Sequence, residues 1–288
     1  MIGAGLDRNV ADATPKRVLC TQQQRPATPR ATGSGQRNRM LVEPARSPLA
    51  SLKPPSHDDH GTFGRGPLAA RIGFWAALAS ASCSVLFLVG AVLAGVLYPY
   101  REWQGVEHWS ATYSMWAMAL PVVPSLFLTW AFVALLASVH VLARADRKVL
   151  SLVGLSFALL YAAILNVNYF LQLTFVRQNV LAGNGGGVAL LAMENVQSAF
   201  WAIEFVGYGL QCLAALCIAP LFGGWTRGFL VLVGAAGVVS LLTPMLDLPF
   251  AAVVVAGAAW QVGFPVATAL LGRHFVARKR SSHRPAFQ

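Results

Sequence analysis

Between Met193 and Gln211 the chain reads MENVQSAFWAIEFVGYGLQ, and Glu194, Gln197, Trp201, Glu204, Tyr208 and Gln211 recur at alternating steps of three and four. On a helix that spacing puts all six on one side. Ala199, Ala202, Ile203, Val206 and Leu210 take the other. A carboxyl and a phenol on one stripe can do two kinds of chemistry. Glu204 can act as a general acid or base, or it can anchor a ligand that Tyr208 and the amides orient. The following LAALCIAP is wholly apolar. A polar stripe on a helix that continues as a membrane span must face protein or water, because lipid offers no hydrogen bonds.

Composition sets the solvent in which that stripe works. Of 288 residues, 56% are hydrophobic and 11% charged, with a mean hydropathy of +0.56. Soluble domains carry about 25% charged residues. The expected class is all-α, a polytopic membrane protein with six transmembrane helices whose first partner is the lipid bilayer. The net charge of +11 sits in the N-terminal tail, the short loops and the C-terminus. That is the distribution of a protein holding basic segments in the cytoplasm, so no nucleic-acid partner is expected. Cys20, Cys83, Cys212 and Cys217 show neither a metal spacing nor a disulfide framework, and no cofactor is expected.

Residues 1–68 are rich in Arg, Pro, Ser, Thr, Gln and Gly and nearly free of aromatics. They bury too little apolar surface to offset ordering entropy and read as a disordered basic tail. Met40 is a second candidate start, and no apolar stretch after Met1 suggests a signal peptide. HDDH, His57 to His60, reads as a polar spacer rather than a metal site. Residues 69–273 hold the six spans, expected near 72–97, 117–143, 149–176, 198–220, 229–246 and 250–271. A basic tail, 274–288, follows.

Tyr98, Tyr100, Trp103, Trp109, Tyr113 and Trp116 cluster after the first span, where headgroup-level aromatics are expected. Glu107 and His108 there are neighbours that point apart, with no third ligand at hand. Pro124 should kink the second span and free a carbonyl that could line a cavity. His140 should snorkel to the interface. The glycines at 183 and 185–187 mark a hinge rather than a phosphate loop, with a short interfacial helix near 188–193.

Lys and Arg counts put both termini in the cytoplasm, since Arg65, Arg71, Arg144, Arg147, Lys148, Arg227, Arg273, Arg278, Lys279 and Arg280 share one side while Arg101 and Arg177 take the other. Depth then follows from a rise of about 1.5 Å per residue. Tyr161, Asn168 and Gln172 share one face of the third span, with Asn166, Tyr169 and Thr174 in a second, less regular strip. If the third and fourth spans are antiparallel neighbours, Gln172 comes level with Glu204 and Asn168 with Tyr208. Arg177 is the cation placed to reach down toward the carboxylate, and Gln261 of the sixth span is a further polar candidate. The expected polar cluster is therefore Glu204, Tyr208, Asn168, Gln172, Arg177, Gln211, Trp201 and Gln261, opening outward.

Three readings remain open at this point. The cluster binds or moves a small or amphiphilic ligand; or it is an enzyme using Glu204 as general acid/base on a lipid-like substrate; or the chain is a non-catalytic scaffold with a hydrogen-bonded clasp. No second acid, histidine or activated nucleophile accompanies Glu204 at its depth, and no inverted repeat relates the two halves. From Asn166 to Gly224, NVNYFLQLTFVRQNVLAG and then FWAIEFVGYGLQCLAALCIAPLFGG resemble a group of uncharacterised prokaryotic six-span integral membrane proteins. The resemblance implies a multi-pass protein of the bacterial inner (plasma) membrane and brings no catalytic residue. The Gly-rich insert and the long basic tail are unlike that group.

Overall fold

Apolar stretches of 19 residues or more, broken only by short polar turns, leave the backbone one way to satisfy itself in hydrocarbon, the helix. A computed structural model describes residues 66–98, 103–246 and 248–281, which belong to one unit, His57–Gln288. The tail with HDDH, Cys20 and Met40, as well as Tyr100 and Arg101, lies outside the described residues. The helices are α1 (Pro67–Leu97), α2 (Val106–Thr112), α3 (Met115–Leu142), α4 (Lys148–Leu171), α5 (Arg177–Leu181), α6 (Val188–Leu191), α7 (Ala199–Ile218), α8 (Gly224–Leu242) and α9 (Phe250–Ser281). No strand occurs among the described residues. Six helices are long and apolar enough to cross a membrane: α1, α3, α4 with its continuation through α5, α7, α8 and α9.

These six close into a ring. α1 packs on α3, α3 on α4, α4 on α7, α7 on α8, α8 on α9, and α9 back on α1. α1 shows why. It buries only Ala70, Gly73, Ala76, Ala77, Ser80, Ser84 and Gly90, while Ile72, Trp75, Val85 and Leu86 are exposed. Small residues let helices approach, and the large apolar ones suit lipid.

A close backbone approach involves the proline-containing part of α3. Pro124 has no N–H to give Leu120, four residues earlier. A Cβ on Gly90 would lie 2.3 Å from that same Leu120 carbonyl oxygen. The carbonyl freed by Pro124 therefore faces the bare backbone of α1, not the cavity that the sequence suggests for it.

Several boundaries differ from expectation for physical reasons. α4 does not end at Val176. It passes through a π turn, Gln172–Val176, in which the Arg177 N–H reaches the Gln172 carbonyl, and resumes as α5. α9 remains helical to Ser281, through the first part of the expected tail. Glu194 and Gln197 precede α7, whose N-cap Ser198 accepts from the Trp201 N–H at 3.0 Å. The six-residue stripe is thus helical only from Trp201 onward. His140 does not snorkel outward; its Nδ1 lies 2.9 Å from Ser151 Oγ, tying α3 to α4.

The two ends of the ring differ. One, the basic end, carries the start of α1 and the α3–α4 and α7–α8 turns. The other, the looped end, carries α2, α5 and α6. There Val176, Val180, Val188 and Ala192 form a satellite core with Trp103, Val106, Trp109 and Tyr113. Trp103 and Trp109 lie 5.6 Å apart and Trp109 and Tyr113 5.1 Å. These aromatics, expected at headgroups, pack on a cap over the bundle. Positive φ at Gly183 (69°) and Gly187 (77°) lets the chain fold back into that cap.

Candidate functional site

The centre of the ring is filled by aromatic rings from α1, α3, α4, α7 and α9. Tyr208 of α7 lies 5.2 Å from Trp260 (α9), 6.2 Å from Tyr161 (α4) and 6.3 Å from Phe87 (α1). Phe132 of α3 meets Tyr161 at 6.0 Å and Phe264 at 5.4 Å. This layer closes the middle of the bundle, so a site reached from one end stops here.

The polar site sits at the edge of that layer. Tyr169 of α4 donates its hydroxyl to Glu204 Oε1 at 2.9 Å. Tyr169 Oη also lies 2.8 Å from Tyr208 Oη, which lies 3.3 Å from Ser125 Oγ of α3. A phenol has one proton. If Tyr169 gives its proton to Glu204, Tyr208 must donate to Tyr169 and Ser125 to Tyr208. Three helices thus contribute a one-way chain of donors ending on a carboxylate. Glu204 itself is half-buried, while Tyr169 and Ser125 are buried.

A second polar group lies toward the looped end. Asn168 and Gln172, both buried, share one face of α4. Asn168 Nδ2 donates to the Phe200 carbonyl at 3.3 Å, and Gln172 Nε2 to the Leu191 carbonyl. Carbonyl partners fix which way each amide points, and the oxygens turn elsewhere. Asn168 Oδ1, Gln172 Oε1 and Glu194 Oε2 are buried with no hydrogen-bond partner. Burial pushes the Glu194 carboxyl up to about 7. The Tyr113 hydroxyl, also buried without a partner, is raised by burial first and then by the Glu194 charge, with Arg177 opposing. Glu194 and Arg177 therefore each lie within electrostatic reach of the Tyr113 hydroxyl.

The expected register between α4 and α7 is one turn off. Asn168 meets Phe200, four residues before Glu204, and Leu165 lies against Gly207. Tyr169, from the second polar strip, takes the place beside Glu204 that the spacing gives to Gln172. Counting depth from the helix ends assumes that the ends are level, whereas the α4 helix runs on through the π turn to Leu181 beside the segment that precedes α7, where Gln172 meets Leu191. Arg177 forms no ion pair with Glu204 or Glu194 among the described residues; the ion pairs there join Arg144 and Arg147 to Asp146.

The other candidates scatter. Trp201 packs on Phe205 of its own helix at 5.3 Å. Gln211 is fully buried with both amide atoms unpartnered. At α9 it is Trp260, not Gln261, that meets Tyr208; Gln261 is half-buried with its Oε1 unpartnered. Ser125 carries no distinguishing signal beyond a hydroxyl in an apolar helix, while Tyr161, on the face that spacing gives to Asn168 and Gln172, packs in the aromatic layer. Among the described residues no group of His, Cys, Asp and Glu is arranged to hold a metal ion, and Glu107 and His108 are exposed on α2.

No protein-family model, curated protein or solved structure matches this chain.

Proposed function

We propose that the chain binds a small cationic or donor-rich ligand, of the organic ammonium class, at the looped end between α4 and α7. The observation that carries this reading is the set of buried acceptor oxygens on Asn168, Gln172 and Glu194 that lack donors, one turn above Glu204. Each buried unsatisfied polar atom costs about 1–3 kcal/mol. A ligand that brings N–H groups or positive charge would recover that cost, and amide and carboxylate oxygens are the atoms that would receive it. Glu204, fed by the donor chain from Ser125, is placed to complete the site from below. In this reading the ligand enters past the cap and stops at the aromatic layer.

The basic end is proposed to face the cytoplasm, because Arg71, Arg144, Arg147, Lys148, Arg227 and Arg273 gather there. A bacterial inner membrane is the proposed location, on the resemblance of residues 166–224. The enzyme reading has less support: the partners of Glu204 are phenols and a serine, with no nucleophile held by a base.

Thermal unfolding of the full chain in detergent, titrated with ethanolamine and with choline, tests the binding. A rise in the unfolding temperature is expected, weakened at least about tenfold in apparent affinity by Asn168→Leu, which is about 1.4 kcal/mol. No rise with either amine, or an equal rise in Asn168→Leu and Glu204→Gln, would overturn the proposal and leave a hydrogen-bonded scaffold. Uptake into proteoliposomes then separates binding from transport.

A further inference from the structure

A groove on the outside of the ring, at the basic end, lies apart from the ammonium site. Its floor is the side of α9 that turns away from the core, with Ala269, Arg273 and Ala277 exposed, whereas Ala267, Leu271 and Phe275 are buried. Its walls come from α1 (Phe74, Leu78) and from the start of α8 (Trp225, Thr226), the two ring neighbours of α9. The volume is about 650 Å³, within the range of about 300–1,000 Å³ typical of ligand clefts.

We propose that this groove holds one anionic glycerophospholipid, with its phosphate on Arg273 and one acyl chain along Leu78 and Leu270. Three observations lead there. First, the groove is graded. Toward the middle of the bundle it is lined by Leu78, Ala269 and Leu270, and toward the end by Arg273, His274 and Thr226. That is the polarity sequence of a lipid from chain to headgroup. Second, the charge is complementary. Arg273 is exposed, and Arg71, also exposed, lies three residues before Phe74 on the same side of α1. Gly73 of α1 packs on Phe275 of α9, which sets Arg71 slightly nearer the end than Arg273. Two guanidinium groups at successive heights suit a phosphate diester and its polar substituent, since arginine meets phosphate oxygens with paired donors. Third, Trp225 is 80% exposed at the rim, where an indole is stable at headgroup level.

The rim is also held firmly. Thr226 Oγ1 lies 3.0 Å from His274 Nε2, joining α8 to α9. The His274 ring packs on Phe222 with centroids 5.2 Å apart. A groove whose walls are fixed before the lipid arrives loses less order on binding. A free phosphate would find the same arginines but would leave the apolar part of the groove unused. The length of that part favours the lipid.

Native mass spectrometry of the detergent-purified full chain, offered equal amounts of dioleoyl phosphatidylglycerol and dioleoyl phosphatidylcholine, tests this. About fivefold preferential retention of the glycerol lipid is expected, the fold-change for about 1 kcal/mol per basic residue near a membrane surface. Arg273→Gln should abolish the preference. Leu270→Trp, which fills the groove without altering charge, should reduce retention of the anionic lipid, and Arg147→Gln, outside the groove, should change nothing. Millimolar glycerol phosphate should not displace the lipid. Equal retention of both lipids, an Arg147→Gln loss as large as that of Arg273→Gln, full retention in Leu270→Trp, or displacement by glycerol phosphate would each overturn the assignment.

Discussion

Glu204 and Gln211 are two turns apart on α7, on nearly the same side, and meet opposite surroundings. Glu204 is half-buried, yet Tyr169 supplies it with a donor at 2.9 Å. Gln211 is fully buried, and neither its Oε1 nor its Nε2 has a partner. The difference is one of neighbours. At the height of Glu204, α4 and α3 present hydroxyls on Tyr169 and Ser125. Deeper in, α7 meets α8 through Cys212 against Gly237 and meets α4 through Ala214 and Ile218 against Gly154, contacts without polar side chains. A polar stripe therefore reports which side of a helix faces protein, while the facing helix decides whether that polarity is satisfied.

The largest effect should come from breaking the satisfied member. Tyr169→Phe leaves Glu204 without its donor and parts Tyr208 from the carboxylate, at a cost of about 2 kcal/mol for a hydrogen bond to a group that can carry charge. A drop in the unfolding temperature in detergent is expected; an unchanged value would mean that the chain of hydroxyls contributes nothing. Gln211→Leu is the converse. Replacing an unpartnered buried amide by an apolar group of similar size should leave stability unchanged or raise it by about 1 kcal/mol. A loss in the same measurement would show that Gln211 has a partner in the folded chain and would erase the contrast.

A third comparison uses pH and is the gentlest. Glu194, outside the spans, has an ordinary value of 4.5 and is pushed up to about 7 by burial. The folded chain then binds the proton more tightly than the unfolded one, so this contribution to stability is complete below about pH 4.5 and is lost as pH rises through about 7. Unfolding temperatures at about pH 5 and about pH 8 should differ in the natural chain and converge in Glu194→Gln. Equal slopes in both would detach Glu194 from the buried acceptors around Asn168 and Gln172.

How much of this is legible in the sequence follows from what each signal measures. Length and apolarity give the number of spans and their approximate places, because the bilayer imposes a thickness, while their ends shift by several residues, as at Gly224 and Leu181. The shared face of Asn168 and Gln172 is legible from helical spacing, and both are buried. Their heights are not, because helix ends need not be level: α4 runs on through the π turn to Leu181 beside the segment that precedes α7, where Gln172 meets Leu191. Tyr169 is visible as a polar residue, but its spacing assigns it to a separate strip. Ser125 gives no signal, since a serine beside a proline in an apolar helix reads as a small packing residue. Gln211 falls on the correct side of α7, but nothing in a linear spacing tells that its neighbours lack hydrogen-bonding groups.

The meeting of Gly90 with the Leu120 carbonyl links two residues that lie far apart in the chain. Pro124 removes that oxygen's own helical donor, and the bare α-carbon of Gly90 lets α1 settle against it. Neither substitution is then independent of the other. A side chain in place of Gly90 would force the first two long helices apart, and a residue other than proline at 124 would draw the oxygen back into its own helix and remove the reason for the intimacy. Glycine and proline, each usually read as a disruption of helices, are here the two halves of a single joint.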